Sequence, residues 1–286
     1  MKPALENLPS LSPLAPALLE LDWEDDDAEK KLLTVVESDP TLGARIIATA
    51  NSVGYAAPGA RYTTIVSAVR RLGLRRSIHL ATSLLFAQPM GHRLPAELNR
   101  ALWLHALMLA TAAQELARLK YLPEPNAAYL LGLVHDIGYL AMEYLQPGIL
   151  GRVAAEATAA NLSQEQAEFR MFGAEHHDVA AQLLALWGVP ADLVAPVRTH
   201  HDIDFEPDSL AAILYGAEKM VRCSDVVEVM YAGLDHPFAP MAIDRNGIEF
   251  LFQQQLELGS DAVDTMAARI TEQVGSLREA AVAMTA

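Results

Sequence analysis

Imidazoles and a carboxylate carry most of the chemistry this sequence could perform. Five of its nine histidines, His105, His135, His176, His200 and His201, fall at or beside positions that helical spacing turns toward a core, and Asp136 directly follows His135. A single buried histidine is ordinarily a hydrogen-bonded core residue. Five of them on four helical segments, one with an adjacent carboxylate, read as a set, because imidazoles and carboxylates on facing helices are how bundles hold metal ions. Asp136 lies in an otherwise apolar stretch. An isolated buried charge costs on the order of several kcal/mol, so this carboxylate needs a divalent ion or a protonated histidine beside it. The cofactors such a set could take are one or two divalent ions, from among Fe, Mn, Mg, Zn and Ni; the alternative is none. An ion so held would lower the pKa of a bound water.

Arg70, Arg71, Arg75 and Arg76 make the one dense basic patch in an acidic chain. Arg70 and Arg71 precede Gly73, at a helix C-terminus where cations are favoured. The same four are candidates for an anion site taking a nucleotide or an acidic partner helix, since guanidinium groups bind phosphate bidentately. Other chemistries lack their residues. Cys223 is the single cysteine, which excludes an intramolecular disulfide and fits a reducing compartment. No glycine-rich phosphate loop or dinucleotide fingerprint occurs. Ser52 has no nucleophile-elbow context, and Asn51-Ser52 reads as a helix end bonded to nearby backbone.

The elements that must position these groups read as helices throughout. Apolar residues recur three and four apart, and alternation typical of strands is rare. Asp39-Pro40 offers an N-cap followed by a helix-starting proline, after which Leu42, Ile46 and Ala50 form a stripe. Ile65, Ala68, Val69 and Leu72 form the next. A breaker cluster over residues 89–95 separates two helical blocks. Leu98, Leu102, His105, Leu109, Ala112, Leu116 and Leu119 then step evenly along one face. Asn126 can cap a helix over 127–145 that contains His135 and Asp136. Ser163 and Gln166 have capping-box spacing, with a stop near Gly173. His176 leads a row with Ala180, Leu183 and Trp187. Leu193, Val197 and His200 align after Pro190, and Asp208 or Ser209 can cap a helix over 210–222. The last stripe, Val263 to Leu277, can pack within the fold or across a dimer.

Composition bounds the rest. The 286 residues have room for one large domain or two modest ones, and 52% hydrophobic with 20% charged residues is a globular mix. The net charge of −15 disfavours nucleic acid and anionic lipid as partners. No stretch is long and apolar enough to span a membrane, and Glu6 with Pro3, Pro9, Pro13 and Pro16 interrupts any signal-peptide core. A cytoplasmic protein is expected.

The order of these residues resembles the HD superfamily of metal-dependent phosphohydrolases, and more closely its HDOD branch. The resemblance runs from Asp39-Pro40-Thr41-Leu42 and Ala50-Asn51-Ser52 through Ala68-Val69-Arg70-Arg71-Leu72-Gly73. It continues at Gly132-Leu133-Val134-His135-Asp136-Ile137-Gly138 and Trp187-Gly188-Val189-Pro190, and closes at His200-His201. It implies two all-helical lobes, the C-terminal one an HD-like bundle: residues 1–92 as the N-terminal lobe, 93–222 as the HD-like lobe, and 223–286 as helices packing on it. It also implies bacterial signalling, since HDOD proteins are regarded as regulatory or scaffold modules without established catalysis. By the same resemblance, His105 matches the first metal histidine and His135 with Asp136 the defining pair. His176 and one of His200 or His201 match the further ligands of two-metal members. The last ligand is usually aspartate; Glu218, or else Asp225, is nearest. Three features depart from active relatives, the first being that last aspartate, replaced or shifted here. Asp202-Ile203-Asp204-Phe205 stands where the HD-GYP phosphodiesterases have Gly-Tyr-Pro, and Tyr139 where a lysine often follows His-Asp-x-Gly. The expectation is a regulatory module that binds a signalling protein or a nucleotide-like ligand without turnover. The alternative is a phosphodiesterase-type metal-dependent phosphohydrolase, with Asp136 at its catalytic centre.

Overall fold

The computed structural model describes residues 5–53, 55–90, 93–123, 125–223, 226, 243–259 and 261–285. His92, Asp225 and His236 lie outside the described residues. The fold is all-α. Among the described residues, β pairing is confined to an isolated parallel bridge between Cys223 and Ile243. The chain divides into two compact units, one made of Met1–Leu8 with Arg93–Val274 and the other of Pro9–His92 with Gly275–Ala286.

The larger unit is built on the long helix α6 (Ala96–Leu119), against which α7 (Pro125–Val134) and α13 (Leu210–Val221) pack. A second layer pairs α8 (Ile137–Leu145) with α11 (His176–Leu186), α11 with α12 (Ala191–Arg198), and α9 (Ile149–Ala160) with α10 (Gln164–Phe172). Helix starts follow local chemistry. Gln166 N–H donates to Ser163 Oγ at 3.2 Å while Ser163 N–H donates to Gln166 Oε1 at 3.0 Å, a capping box, and α10 stops at Gly173 with φ 90°. Ser209 Oγ caps α13 by accepting from Ala212 N–H at 3.1 Å.

Two glycines set how closely these helices meet. A Cβ on Gly132 would lie 2.6 Å from the Ala110 Cα, so α7 rests on the α6 backbone itself. A Cβ on Gly138 would lie 1.9 Å from the His176 carbonyl oxygen, so α8 rests on the start of α11. These contacts fall on either side of His135 and Asp136.

The structure corrects two expectations. The helix anticipated over 127–145 is two helices, with His135 and Asp136 in the turn between them. The apolar pattern is nearly the same on both sides and so conceals the break. Asn126 is not the cap: α7 starts at Pro125, whose fixed φ and missing N–H suit a first helical position, and Asn126 Oδ1 accepts from Gln114 Nε2 at 3.3 Å.

The smaller unit packs α3 (Pro40–Ala50) against α2 (Ala28–Ser38), α4 (Ile65–Leu72) and α5 (Leu74–Ala87), with α1 (Ala15–Leu19) on α5. Asp39 caps α3 by accepting from Thr41 and Leu42 N–H at 2.9 and 3.1 Å. Asn51 closes the segment before α4: its Nδ2 donates to Ile47 O and Tyr62 O at 2.8 and 2.7 Å, and its Oδ1 accepts from Tyr62 N–H at 2.9 Å. The structural reading of Asn51 therefore holds. The final helix, Asp261–Thr285, contributes its residues from Gly275 to this unit. Arg45 donates to Met284 O at 2.9 Å, and Ser52 hydrogen-bonds Glu279.

Candidate metal centre

The turn between α7 and α8 creates the site. His135 Nδ1 lies 2.8 Å from the Gly132 carbonyl oxygen, to which it donates. His200, in the turn after α12, does the same to Val197 O at 2.7 Å. His176, the first residue of α11, gives both its backbone N–H and its Nδ1–H to Glu168 Oε2, each at 2.8 Å. Assigned from these acceptors, all three neutral rings carry the proton on Nδ1 and a lone pair on Nε2. Each of the three side chains is 1% exposed, so none of those lone pairs is turned to bulk water.

The lone pairs converge on Asp136. Its Oδ2 lies 3.1 Å from His135 Nε2 and 3.6 Å from His105 Nε2. Its Oδ1 lies 3.5 Å from His176 Nε2 and 3.6 Å from His200 Nε2. Glu218, on α13, closes the first set, with Oε2 3.6 Å from His105 Nε2 and 3.8 Å from His135 Nε2. Asp136 therefore stands between two donor groups, one per carboxylate oxygen. His201 borders the second, its Nε2 3.0 Å from His176 Nε2. All seven residues singled out from sequence as metal ligands meet in the larger unit.

The donors fit a divalent ion. His135 Nε2, His200 Nε2 and Glu218 Oε2 are buried acceptors without a hydrogen-bond partner; the 3.1 Å approach of His135 to Asp136 lacks hydrogen-bond alignment. Native proteins seldom leave such atoms unsatisfied, and a cation in each of the two donor groups would satisfy them. Spacing agrees: two donors each ~2.1 Å from a tetrahedral ion sit ~3.4 Å apart, and the separations around Asp136 and Glu218 run from 3.1 to 3.8 Å.

Electrostatics prepares the same set. Burial opposes ionisation of Asp136, but His135, His176 and His200 outweigh it and hold the carboxyl well below its usual range. Glu218, buried as well, is lowered by His105 and His135. Burial penalises charge on His135, yet Asp136 and Glu218 raise its pKa; Glu168 and Asp136 do the same for His176 against the same penalty. Burial, reinforced by His201, pushes His200 well below the ordinary imidazole value. Tyr139 is raised well above 10 by burial and by Glu168, so it stays a phenol, with its ring stacked on His176 at 4.2 Å between centroids.

Two residues of this neighbourhood escaped the sequence. Glu168, fully buried, is what orients His176. Its signal is an i, i+4 row with Phe172 on the buried face of α10, an unusual place for a carboxylate. His177 borders His176, and its Nε2 lies 3.0 Å from Glu175 Oε2. Neighbouring histidines in sequence point to different faces of a helix, which obscured it.

The arginines are engaged separately. Arg70 Nε pairs with Glu29 at 3.4 Å, Arg71 Nε donates to the Tyr55 carbonyl, and the Arg75 guanidinium lies 5.9 Å over the Trp23 ring. Arg76 is exposed.

The HDOD domain matches residues 8–203. The chain belongs to the HDOD domain family. An HDOD domain protein of unknown function from Geobacter sulfurreducens superposes with a TM-score of 0.71 at 21% identity, covering 94% of this chain and 93% of that one. A candidate signal-transduction protein from Marinobacter aquaeolei VT8 gives 0.73 at 23%, covering 99% and 60%. A candidate phosphohydrolase from Shewanella amazonensis SB2B gives 0.65 at 21%, covering 99% and 96%. At these identities the likeness establishes the fold. A Treponema pallidum (strain Nichols) protein of uncharacterised function is 21% identical over 215 residues, 73% of this chain; this HDOD chain spans 41% of its length. Among the described residues, no helix is long and apolar enough to cross a membrane.

Proposed function

We propose that this HDOD protein is a bacterial cytoplasmic regulatory module that binds one or two divalent ions between His105, His135, Asp136, Glu218, His176 and His200. Through that loaded pocket or its margins it recognises a signalling protein or a phosphate-bearing, nucleotide-like ligand. The observation that carries the reading is the convergence of three tautomer-locked Nε2 lone pairs on one carboxylate. Bound there, an ion would offer Lewis-acid affinity for phosphate oxygens. The net charge of −15 argues against nucleic acid as the partner. Binding without turnover is favoured by Tyr139, whose uncharged ring covers His176 where hydrolytic relatives often place a lysine.

A phosphohydrolase is the second reading, supported by the paired donor groups on the two oxygens of Asp136. Metal analysis of protein purified without nickel resin, before and after Asp136→Ala, tests the shared premise. Stoichiometric metal in the parent and its loss from a folded variant are expected; a parent free of metal after incubation with Mn²⁺, Fe²⁺ and Zn²⁺ would refute it. Turnover of bis(p-nitrophenyl) phosphate by the loaded parent, lost in Asp136→Ala, would replace binding with catalysis.

A further inference from the structure

His177 takes no part in the Asp136 cluster, yet it is placed as a ligand is. Its Nε2 lies 3.0 Å from Glu175 Oε2. With that N–H donated, the lone pair belongs to Nδ1, which is buried and has no hydrogen-bond partner. The ring faces His176 at 5.3 Å and His201 at 5.8 Å between centroids. One nitrogen from each of the three rings falls within 4.8 Å of the others. Exposure is graded across the group: His176 is buried, His177 half-buried and His201 exposed.

Ligand type sets the class of ion. Three imidazoles without a carboxylate suit Zn²⁺, Co²⁺ or Ni²⁺ and discriminate against Mg²⁺ and Ca²⁺, which require oxygen donors. Lone-pair counting sets the relation to the inner cluster. His176 has committed Nδ1–H to Glu168, so Nε2 is its one available donor atom. That atom can serve the outer group or the Asp136 Oδ1 position, but not both at once.

We infer that His177 and His201, sharing His176 with the inner cluster, form an outer capture position for a divalent transition-metal ion, from which His176 hands it to Asp136 and His200. This rests on the metal-binding reading above and adds its route of entry. Because the two positions exclude one another, the outer group governs how fast the protein loads and leaves the final stoichiometry alone.

Chelator-stripped full-length protein mixed with Co²⁺ in a stopped-flow instrument reports loading through visible ligand-field absorption, with metal per chain measured afterwards. His177→Ala is expected to load about tenfold more slowly, taking as its scale the loss in affinity or activity that supporting residues cost metal sites, and to reach the parent's Co²⁺ content. Glu175→Gln keeps the imidazole but weakens the hold on its tautomer, and should slow loading less; it also serves if His177→Ala fails to fold. Parent-like loading in both variants would overturn the capture position while leaving the inner site standing. A reduced final content in His177→Ala would overturn it too, by making His177 an inner ligand. A parent that takes up no Co²⁺ would instead refute the metal reading on which the inference rests.

Discussion

His135 and His176 hold their protons at a pH where an ordinary imidazole has begun to lose them, because ionised carboxylates outweigh their burial. Their protonation stabilises the metal-free fold fully below the unfolded value of 6.5, and that contribution is lost as pH rises through the raised folded values. Metal binding runs the other way, since imidazole ligates only when neutral. Metal content should therefore be highest above the raised values and fall as pH drops through them, because both rings must lose a proton to ligate. Metal analysis after dialysis across a pH series checks this; content that holds flat down to acid pH would remove these two rings from the ligand set. His200, kept neutral by burial, should be the last of the three to be lost as a donor. Legibility from sequence differs residue by residue here. His135 and Asp136 announce themselves as an adjacent polar pair in an apolar stretch. Glu168 does not, because its role depends on a segment eight residues before His176 folding back beneath the ring.

Helices α7 and α8 show how an element boundary creates chemistry. A continuous helix would send His135 and Asp136 to different faces. The break lets Gly132 O accept a hydrogen bond from His135 Nδ1–H and leaves Asp136 at the start of a new helix. Gly132 and Gly138 then press this corner onto α6 and α11, which carry His105 and His176. Gly138→Ala should accordingly cost about 3 kcal/mol, the upper end of overpacking penalties, because the added methyl meets backbone rather than a movable side chain. That corresponds to a fall in Tm of roughly 6–12 °C for a unit of this size, with weakened metal retention as α8 and α11 part. An unchanged Tm and metal content in Gly138→Ala would disprove the close approach. The sequence marked both glycines as motif members, but their purpose depends on which backbone lies opposite.

Across the whole molecule, the candidate ligands all belong to Arg93–Val274, while the arginine patch and residues 275–286 belong to the other unit. The end of the last helix holds the smaller unit through Arg45, Ser52 and Tyr55, and buries Ala281 and Met284. A chain stopped after Val274 should lose thermal stability in the smaller unit, visible as an earlier calorimetric transition, while retaining the metal per chain of the parent. Loss of metal on that truncation would mean the units are not energetically separable.

Helical periodicity, capping pairs such as Asp39-Pro40 and Ser163 with Gln166, and the order of histidines around Asp136 are local or nearly local properties, so the chain alone determined the all-α class and the candidate ligands. Tertiary structure decided which nitrogen of each ring is available, which carboxylate fixes it, where the long apolar stretch breaks, and that the arginines are engaged separately. The ring nitrogens are fixed by short-range bonds, to Gly132, Val197 and Glu168, that form only once the turns are folded, and their convergence on Asp136 joins helices far apart in the chain, a distance that neither spacing nor composition encodes.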